Sequence, residues 1–393
     1  MNATNSHDEY EESSGRHDEG KHPLLFAAHA VDRFFFRPLE PTTLGLLRIA
    51  TGIVVLYVHL VYCIGLSNYL GPNAWVVNKG WTNKPGEGGV TDFLRHGNTL
   101  AGPSWSWDDT AGGVFKGQTM WSIYYHVEDP FWVSVIHGGI LTIMLLFTLG
   151  LWTRVTSVLA WIGALMYIQR LPGMLFGMDT MTNLGLFYLM FAPCGSALSL
   201  DRWLWVRAEK RRLGANYVPR PPEPLVSARL LTRAIQINFC IIYGAAGTSK
   251  LLGSSWWNAT APNRFLLNYS FAPFDVPGYT AMLKYLADHR WMWEVACTIG
   301  VVYTLVMELG LPFLIWNRRT RWVMVCGSVV FHTMIALLMG LVTFSLMMLC
   351  LVLAFVPPDA VRQTLESMAE SLRQLLFSRR SERSADPSMA LSR

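Results

Sequence analysis

Residues 43–66 hold no Asp, Glu or Lys and a single Arg, Arg48, in a run long enough to cross a lipid bilayer, and further apolar runs follow along the chain. A crossing needs about 20 residues, and inside the bilayer every backbone N–H and C=O must be paired within the protein. Repeated runs of this kind restrict the chain to a bundle of helices. The runs lie at 43–66, 131–151, 155–168, 179–192, 234–252, 292–316, 322–338 and 341–356. The last two come from one stretch, 322–356, which is too long for a single crossing and is divided at Gly340. Composition agrees, with 52% hydrophobic and only 15% charged residues, against about 25% charged in soluble domains. The expected fold is an all-α integral membrane protein with about eight transmembrane helices.

The remaining segments divide the chain. Residues 1–22 are polar and charged, cannot bury apolar area, and read as a disordered tail rather than a signal peptide. Residues 24–37, with Phe26, Phe34, Phe35 and Phe36, read as a short interfacial helix ended by Pro38 and Pro41. The transmembrane domain then spans 23–357. After it, Val361, Leu365, Met368, Leu372 and Leu376 recur at helical spacing, so 358–393 is expected to be a cytoplasmic amphipathic helix and tail, with Arg362 and Arg373 beside anionic lipid.

Lys and Arg set the orientation. Loop 197–233, loop 317–321 and the tail after Pro358 carry the basic excess, and with eight crossings all three fall on one side. That side is expected to be cytoplasmic, together with both termini, in a cell-membrane protein. The net charge of +5 thus reads as a topology signal and not as a nucleic-acid footprint. Two long outer loops remain, 68–130 and 253–291. They are rich in aromatic residues, among them Trp75, Trp81, Trp105, Trp107, Trp121, Trp256, Trp257, Phe265, Tyr269, Phe271 and Phe274. None of the six cysteines has Cys-x-x-Cys spacing and no two membrane histidines share a helix, so neither a disulfide framework nor a metal site is expected.

Ionisable residues inside a membrane are costly and face the bundle interior. Arg48 and Glu308 both lie toward the cytoplasmic ends of their runs, so a buried Arg48–Glu308 ion pair is expected to offset both costs. Lys250, His137 and His59 lie in the outer half, His332 lies near mid-membrane, and Asp179 and Glu294 start their runs on the outer side. Lys250 ends a run of small residues, Gly244, Ala245, Ala246, Gly247 and Ser249, with Trp256 and Trp257 beyond it. Two readings follow for its amine. It can snorkel to the outer surface, or close helix approach can wall it in under a Trp256–Trp257 roof, where it could serve as a base.

Several loose motifs, taken in order and spacing, give the chain a familiar outline over roughly residues 31–356. They are Leu46-Leu47-Arg48-Ile49-Ala50-Thr51-Gly52, Leu198-Ser199-Leu200-Asp201-Arg202, and Tyr243…Ala246-Gly247-Thr248-Ser249-Lys250-Leu251 with Trp257 behind it. Glu308-Leu309-Gly310-Leu311-Pro312-Phe313-Leu314-Ile315-Trp316 and Phe331-His332 with Phe344 follow. In these the chain resembles the HTTM (horizontally transferred transmembrane) family and the membrane half of vitamin K-dependent gamma-carboxylase. The resemblance implies an enzyme that uses a reduced quinone, O2 and CO2, with Lys250 as the base toward the hydroquinone and His332 as a second site residue. It also implies Asp179 or Thr180 at the place of a histidine that supports the lysine. From their level in the membrane, His137, His59 and Glu294, with Trp257, are further candidates for a shared cavity. Few residues follow Pro357, whereas the carboxylase carries a large extramembrane domain there, so carboxylation of protein glutamate is not expected. The alternative is a non-catalytic protein that binds lipid, quinone or a protein partner through the same outward cavity. Pairing of Lys250 with Asp179 or Glu294 would favour that alternative.

Overall fold

A computed structural model describes residues 23–71, 74, 122–127, 129–171, 175–214, 216–267 and 277–385. The tail 1–22 and most of the loop 68–130, with its tryptophans, lie outside the described residues, as do Tyr269, Phe271 and Phe274. Among the described residues the secondary structure is helical, apart from one isolated backbone bridge between Leu39 and Leu225. The helices are α1 (Pro23–Phe36), α2 (Thr42–Val61), α3 (Pro130–Leu149), α4 (Thr153–Arg170), α5 (Gly177–Phe191) and α6 (Leu200–Leu213). After them come α7 (Val226–Leu251), α8 (Pro277–Asp288), α9 (Arg290–Leu314), α10 (Arg321–Met339), α11 (Val342–Val352) and α12 (Pro358–Ala385).

Each expected crossing falls on a helix, but fewer than eight helices meet the requirement for one. Five are long and apolar enough: α2 with its continuation to Leu70, α3, α7, α9 and α10. A sixth is added if α11 with its final turn counts as one span with the start of α12, from which it is bent by 108°. Length explains much of the shortfall. At about 1.5 Å per residue, α5 and α11 fall short of a hydrocarbon core of about 30 Å. The break at Gly340 is present, where α10 ends on a left-handed residue of φ 67°. Helices form where the two flanking ones were expected, α1 over the 24–37 segment and α12 after Pro357. There Arg362 does not stand free for lipid but faces Glu40 at 3.5 Å and Asp359 at 3.2 Å, tying α12 to the turn before α2. In the long loop 253–291 the described residues fold into helical turns at Ser254–Trp257 and Ala261–Leu266 and into α8, so they are less open than the sequence suggests.

Arg48 is fully buried, but it is not paired with Glu308. Its Nη1 donates to Cys194 O at 2.6 Å and its Nη2 to Leu198 O at 2.5 Å. The planar guanidinium fork reaches both carbonyls at once, because the turn between α5 and α6 presents them in one place. Gly150 makes room for it. Its φ of 74° is left-handed, and a Cβ there would lie 2.6 Å from Arg48 Cζ.

Beside this knot, Asp201 accepts from the N–H of Trp152 at 2.8 Å and from the N–H and hydroxyl of Thr153 at 2.8 and 2.5 Å. Partial burial pushes the Asp201 carboxyl up, but these hydrogen bonds and the Arg48 charge outweigh it and hold the group below the usual carboxylate range. A carboxyl lowered on folding adds stability above its unfolded pKa of about 4, and that stability is lost as pH falls through the lower folded value. Asp201→Asn is therefore expected to lower the melting temperature at pH 7 and to flatten its decline below about pH 4. Melting in detergent from pH 7 to pH 3 checks this, and an unchanged acid decline would refute it.

Candidate functional site

Helices α7 and α9 cross where Gly247 meets Leu309. A Cβ on Gly247 would lie 2.8 Å from Leu309 Cδ2 and 3.1 Å from Glu308 Cβ, so any larger residue would push the Leu309 side chain aside. Of Gly244 and Gly247, Gly247 is the one at the tight contact, since a Cβ on Gly244 would make only an ordinary contact with Pro312. The approach brings Lys250 Nζ to 2.7 Å from Glu308 Oε1. The Glu308 side chain is 7% exposed and that of Lys250 is 23% exposed. Glu308 Oε2 is buried with no hydrogen-bond partner among the described residues. The indole of Trp256 lies over the ammonium, 5.3 Å from ring centroid to Nζ.

One and two turns before Lys250 on α7, the buried face continues with Gly247 and Tyr243. The Tyr243 hydroxyl is 2.6 Å from His332 Nε2 and donates to Ser328 Oγ at 3.4 Å. It also lies in the field of Glu308. His332 Nδ1 is buried without a partner among the described residues, and Phe344 packs on the imidazole with ring centroids 5.9 Å apart.

His59 and His137 belong to a different cluster. His137 Nδ1 is 2.5 Å from Tyr167 Oη, and its Nε2 is 3.1 Å from Cys63 Sγ. Tyr167 continues to the Tyr124 hydroxyl at 2.9 Å. His59 sets its ring edge-on to Tyr167 at 4.5 Å, binds Val55 O through Nδ1 at 2.8 Å, and keeps Nε2 without a partner among the described residues. Cys63 sits where α2 tightens into a 3-10 turn, Tyr62–Gly65. His59, Tyr62, Tyr167, Asp179 and Thr182 line a cavity of about 10 Å³, close to the space of one water molecule.

The expected single cavity is thus two polar clusters. Phe344 stands between their neighbourhoods, against His332 on one side and close to Gly177, at the start of α5, on the other. Asp179 does not support Lys250. Its Oδ2 accepts the Phe176 N–H at 2.9 Å and caps the first turn of α5. Glu294 is exposed and pairs with Arg290 at 2.8 Å, an i,i+4 contact on the surface of α9. Trp257 is 69% exposed and donates to Leu251 O, so Trp256 alone covers the amine. The sequence reading missed Cys63, Tyr124 and Tyr167, and it missed Glu308 as the partner of Lys250. Among the described residues no three His, Cys, Asp or Glu side chains are grouped as metal ligands would be.

Comparison with known proteins gives no relative: no family model, no curated protein and no solved structure matches the chain.

Proposed function

We propose that this chain is a multi-pass membrane protein of the HTTM type whose Lys250–Glu308 pair takes up a proton from a reduced quinone-like ligand. The observation that carries the reading is the 2.7 Å contact itself. It joins the lysine of the Ala246-Gly247-Thr248-Ser249-Lys250 motif to the glutamate of the Glu308-Leu309-Gly310-Leu311-Pro312 motif, 58 residues away. Those are two of the motifs on which the resemblance to vitamin K-dependent gamma-carboxylase rests.

The residues fit such a ligand. Glu308 Oε2 is a buried acceptor without a donor among the described residues, and Trp256 sets a flat aromatic face against the Lys250 ammonium that pairs with the other oxygen. A bound hydroquinone would supply an acidic hydroxyl, and its oxidation by O2 would supply the strong base that the gamma-carboxylase family uses to remove a proton before CO2 adds. Glu308 accepts a proton at Oε2. Lys250, paired to the other oxygen, keeps its charge and orients the carboxylate. This assigns proton uptake to the pair rather than to a free lysine base, because an ammonium held by a carboxylate has no lone pair to offer. The His59 cavity has no room for a ring. Eight crossings, with both termini and the three basic regions cytoplasmic, complete the proposal, α4, α5 and α11 crossing as its short members.

The test is epoxide formation from a reduced naphthoquinone under O2 by purified protein in lipid. Wild type is expected to form epoxide, and Lys250→Ala and Glu308→Gln are each expected to lower the rate at least about 100-fold, the scale of losing one positioned acid–base group. The ion pair also favours a second reading, a non-catalytic binder of quinone or lipid, since it satisfies the lysine without chemistry. Saturable quinone binding with no epoxide from folded wild type would select that reading.

A further inference from the structure

At the end of the bundle where α1, α7 and the turn between α9 and α10 meet, five arginines converge without an acid. Arg229 Nε donates to Arg37 O at 2.9 Å, and Arg233 Nε donates to Phe34 O at 3.2 Å. These two contacts fix α1 against α7 through the last carbonyls of α1. The Arg233 guanidinium also lies over the rings of Phe34 at 4.0 Å and Trp316 at 5.4 Å. Trp316 opens the turn that carries Arg318 and Arg321, closed by Arg321 N–H to Asn317 O at 2.9 Å. The charges act on one another: Arg229 and Arg321 on Arg233, Arg37 on Arg229, and Arg318 on Arg321.

Among the described residues none of the five makes an ion pair with a carboxylate. Their neighbours are exposed and apolar: Phe36, Phe313 and Trp322 are 49%, 77% and 47% exposed. Like charges held this close call for a counter-anion, and the apolar surroundings call for one that carries hydrocarbon. Arg233 Nη1 also donates to Gln236 Oε1 at 2.8 Å. We propose that this junction binds the phosphate of an anionic phospholipid, with the guanidinium donors left free by the α1 carbonyls and by Gln236 on the phosphate oxygens and the acyl chains along Phe36, Phe313 and Trp322. Basic pockets between membrane helices take lipid headgroups in this way.

The test uses the full chain in detergent, with bound lipid counted by native mass spectrometry as phosphatidylglycerol or phosphatidylcholine is titrated in. Arg318→Gln/Arg321→Gln removes two charges whose side chains make no hydrogen bond or ion pair among the described residues. Arg211→Gln/Arg212→Gln removes two charges from exposed α6 as a control. Wild type and the α6 control are expected to retain phosphatidylglycerol over phosphatidylcholine, and the Arg318/Arg321 variant to bind it at least about tenfold more weakly, as two lost surface charges near anionic lipid imply. Equal weakening in both variants, or equal retention of both lipids by wild type, would overturn the site. Inorganic phosphate that displaces phosphatidylglycerol at equal concentration would assign the arginines to free phosphate and overturn the lipid. Circular dichroism of each variant confirms that a loss is not unfolding.

Discussion

Arg48→Ala is expected to destabilise the protein by about 3–5 kcal/mol, the range for removing one partner from a buried charged network. Two charge-assisted hydrogen bonds go, and the carbonyls of Cys194 and Leu198 lose their donors. The side chain has no exposed surface, so its space becomes a cavity lined by α2, Gly150 and the α5–α6 turn. Arg48→Lys should recover less than half of the loss. An ammonium on a flexible stem cannot span two carbonyls that the planar fork reaches together. Thermal unfolding in one detergent, with wild type alongside, measures both. A lysine variant as stable as wild type would show that charge, and not the fork, is what this turn needs.

The second large effect concerns Lys250 and Glu308, and it is asymmetric. Removing Lys250 leaves a carboxylate that is 7% exposed with neither oxygen paired. Removing Glu308 leaves an amine that is 23% exposed, already beside the Trp256 ring and able to turn toward water. The lysine substitution should therefore cost more than the glutamate substitution, although the lysine is the residue nearer the surface. Replacing both by apolar groups of similar size removes the desolvation cost together with the attraction, and such double replacements are often neutral.

How far the fold could be read ahead of the structure follows from what hydropathy encodes. The apolar runs, the division at Gly340 and the helix after Pro357 were legible, because each rests on local properties: length, a left-handed glycine, a proline at a helix start. Which helix lies beside which is not local. All the long helices present apolar surfaces, so nothing in Arg48 or Glu308 alone names a partner. Similar depth suggested each other, whereas α2 turns Arg48 to the α5–α6 turn and α9 turns Glu308 to α7. Hydropathy did not mark where the Lys250 helix begins either. The apolar run begins near Ala234, but α7 begins at Val226, because Arg229 and Arg233 are accommodated in its first turns by the carbonyls and rings of α1.

Part of the candidate site was legible as residue types and not as partners. Lys250 stood out as a cation after small residues, and Gly247 does permit the close approach expected. His59 and His137 were placed near one level and do meet, but through Tyr167, which gives no signal in an ordinary apolar run. The roof over the amine was half right. Both tryptophans lie in one short helical turn, and only Trp256 points back to Lys250. Of the motifs that carry the resemblance, Arg48 and Leu198–Arg202 build the turn that closes the bundle, with Ser199 capping α6 and Asp201 holding the start of α4. Those motifs report the fold. The pair of motifs that meets at Lys250 and Glu308 is the one to which the proposed function assigns chemistry.

The most direct test of that pair is a double-mutant cycle on unfolding stability, with Lys250→Met, Glu308→Leu and the two combined, in one lipid or detergent at neutral pH. The account predicts a loss of about 3 kcal/mol for Lys250→Met, about 1 kcal/mol for Glu308→Leu, and a double variant within about 1 kcal/mol of wild type. Two small losses that simply add would contradict it: Lys250 and Glu308 would then be separate surface and core residues, and the proposed proton site would have no foundation.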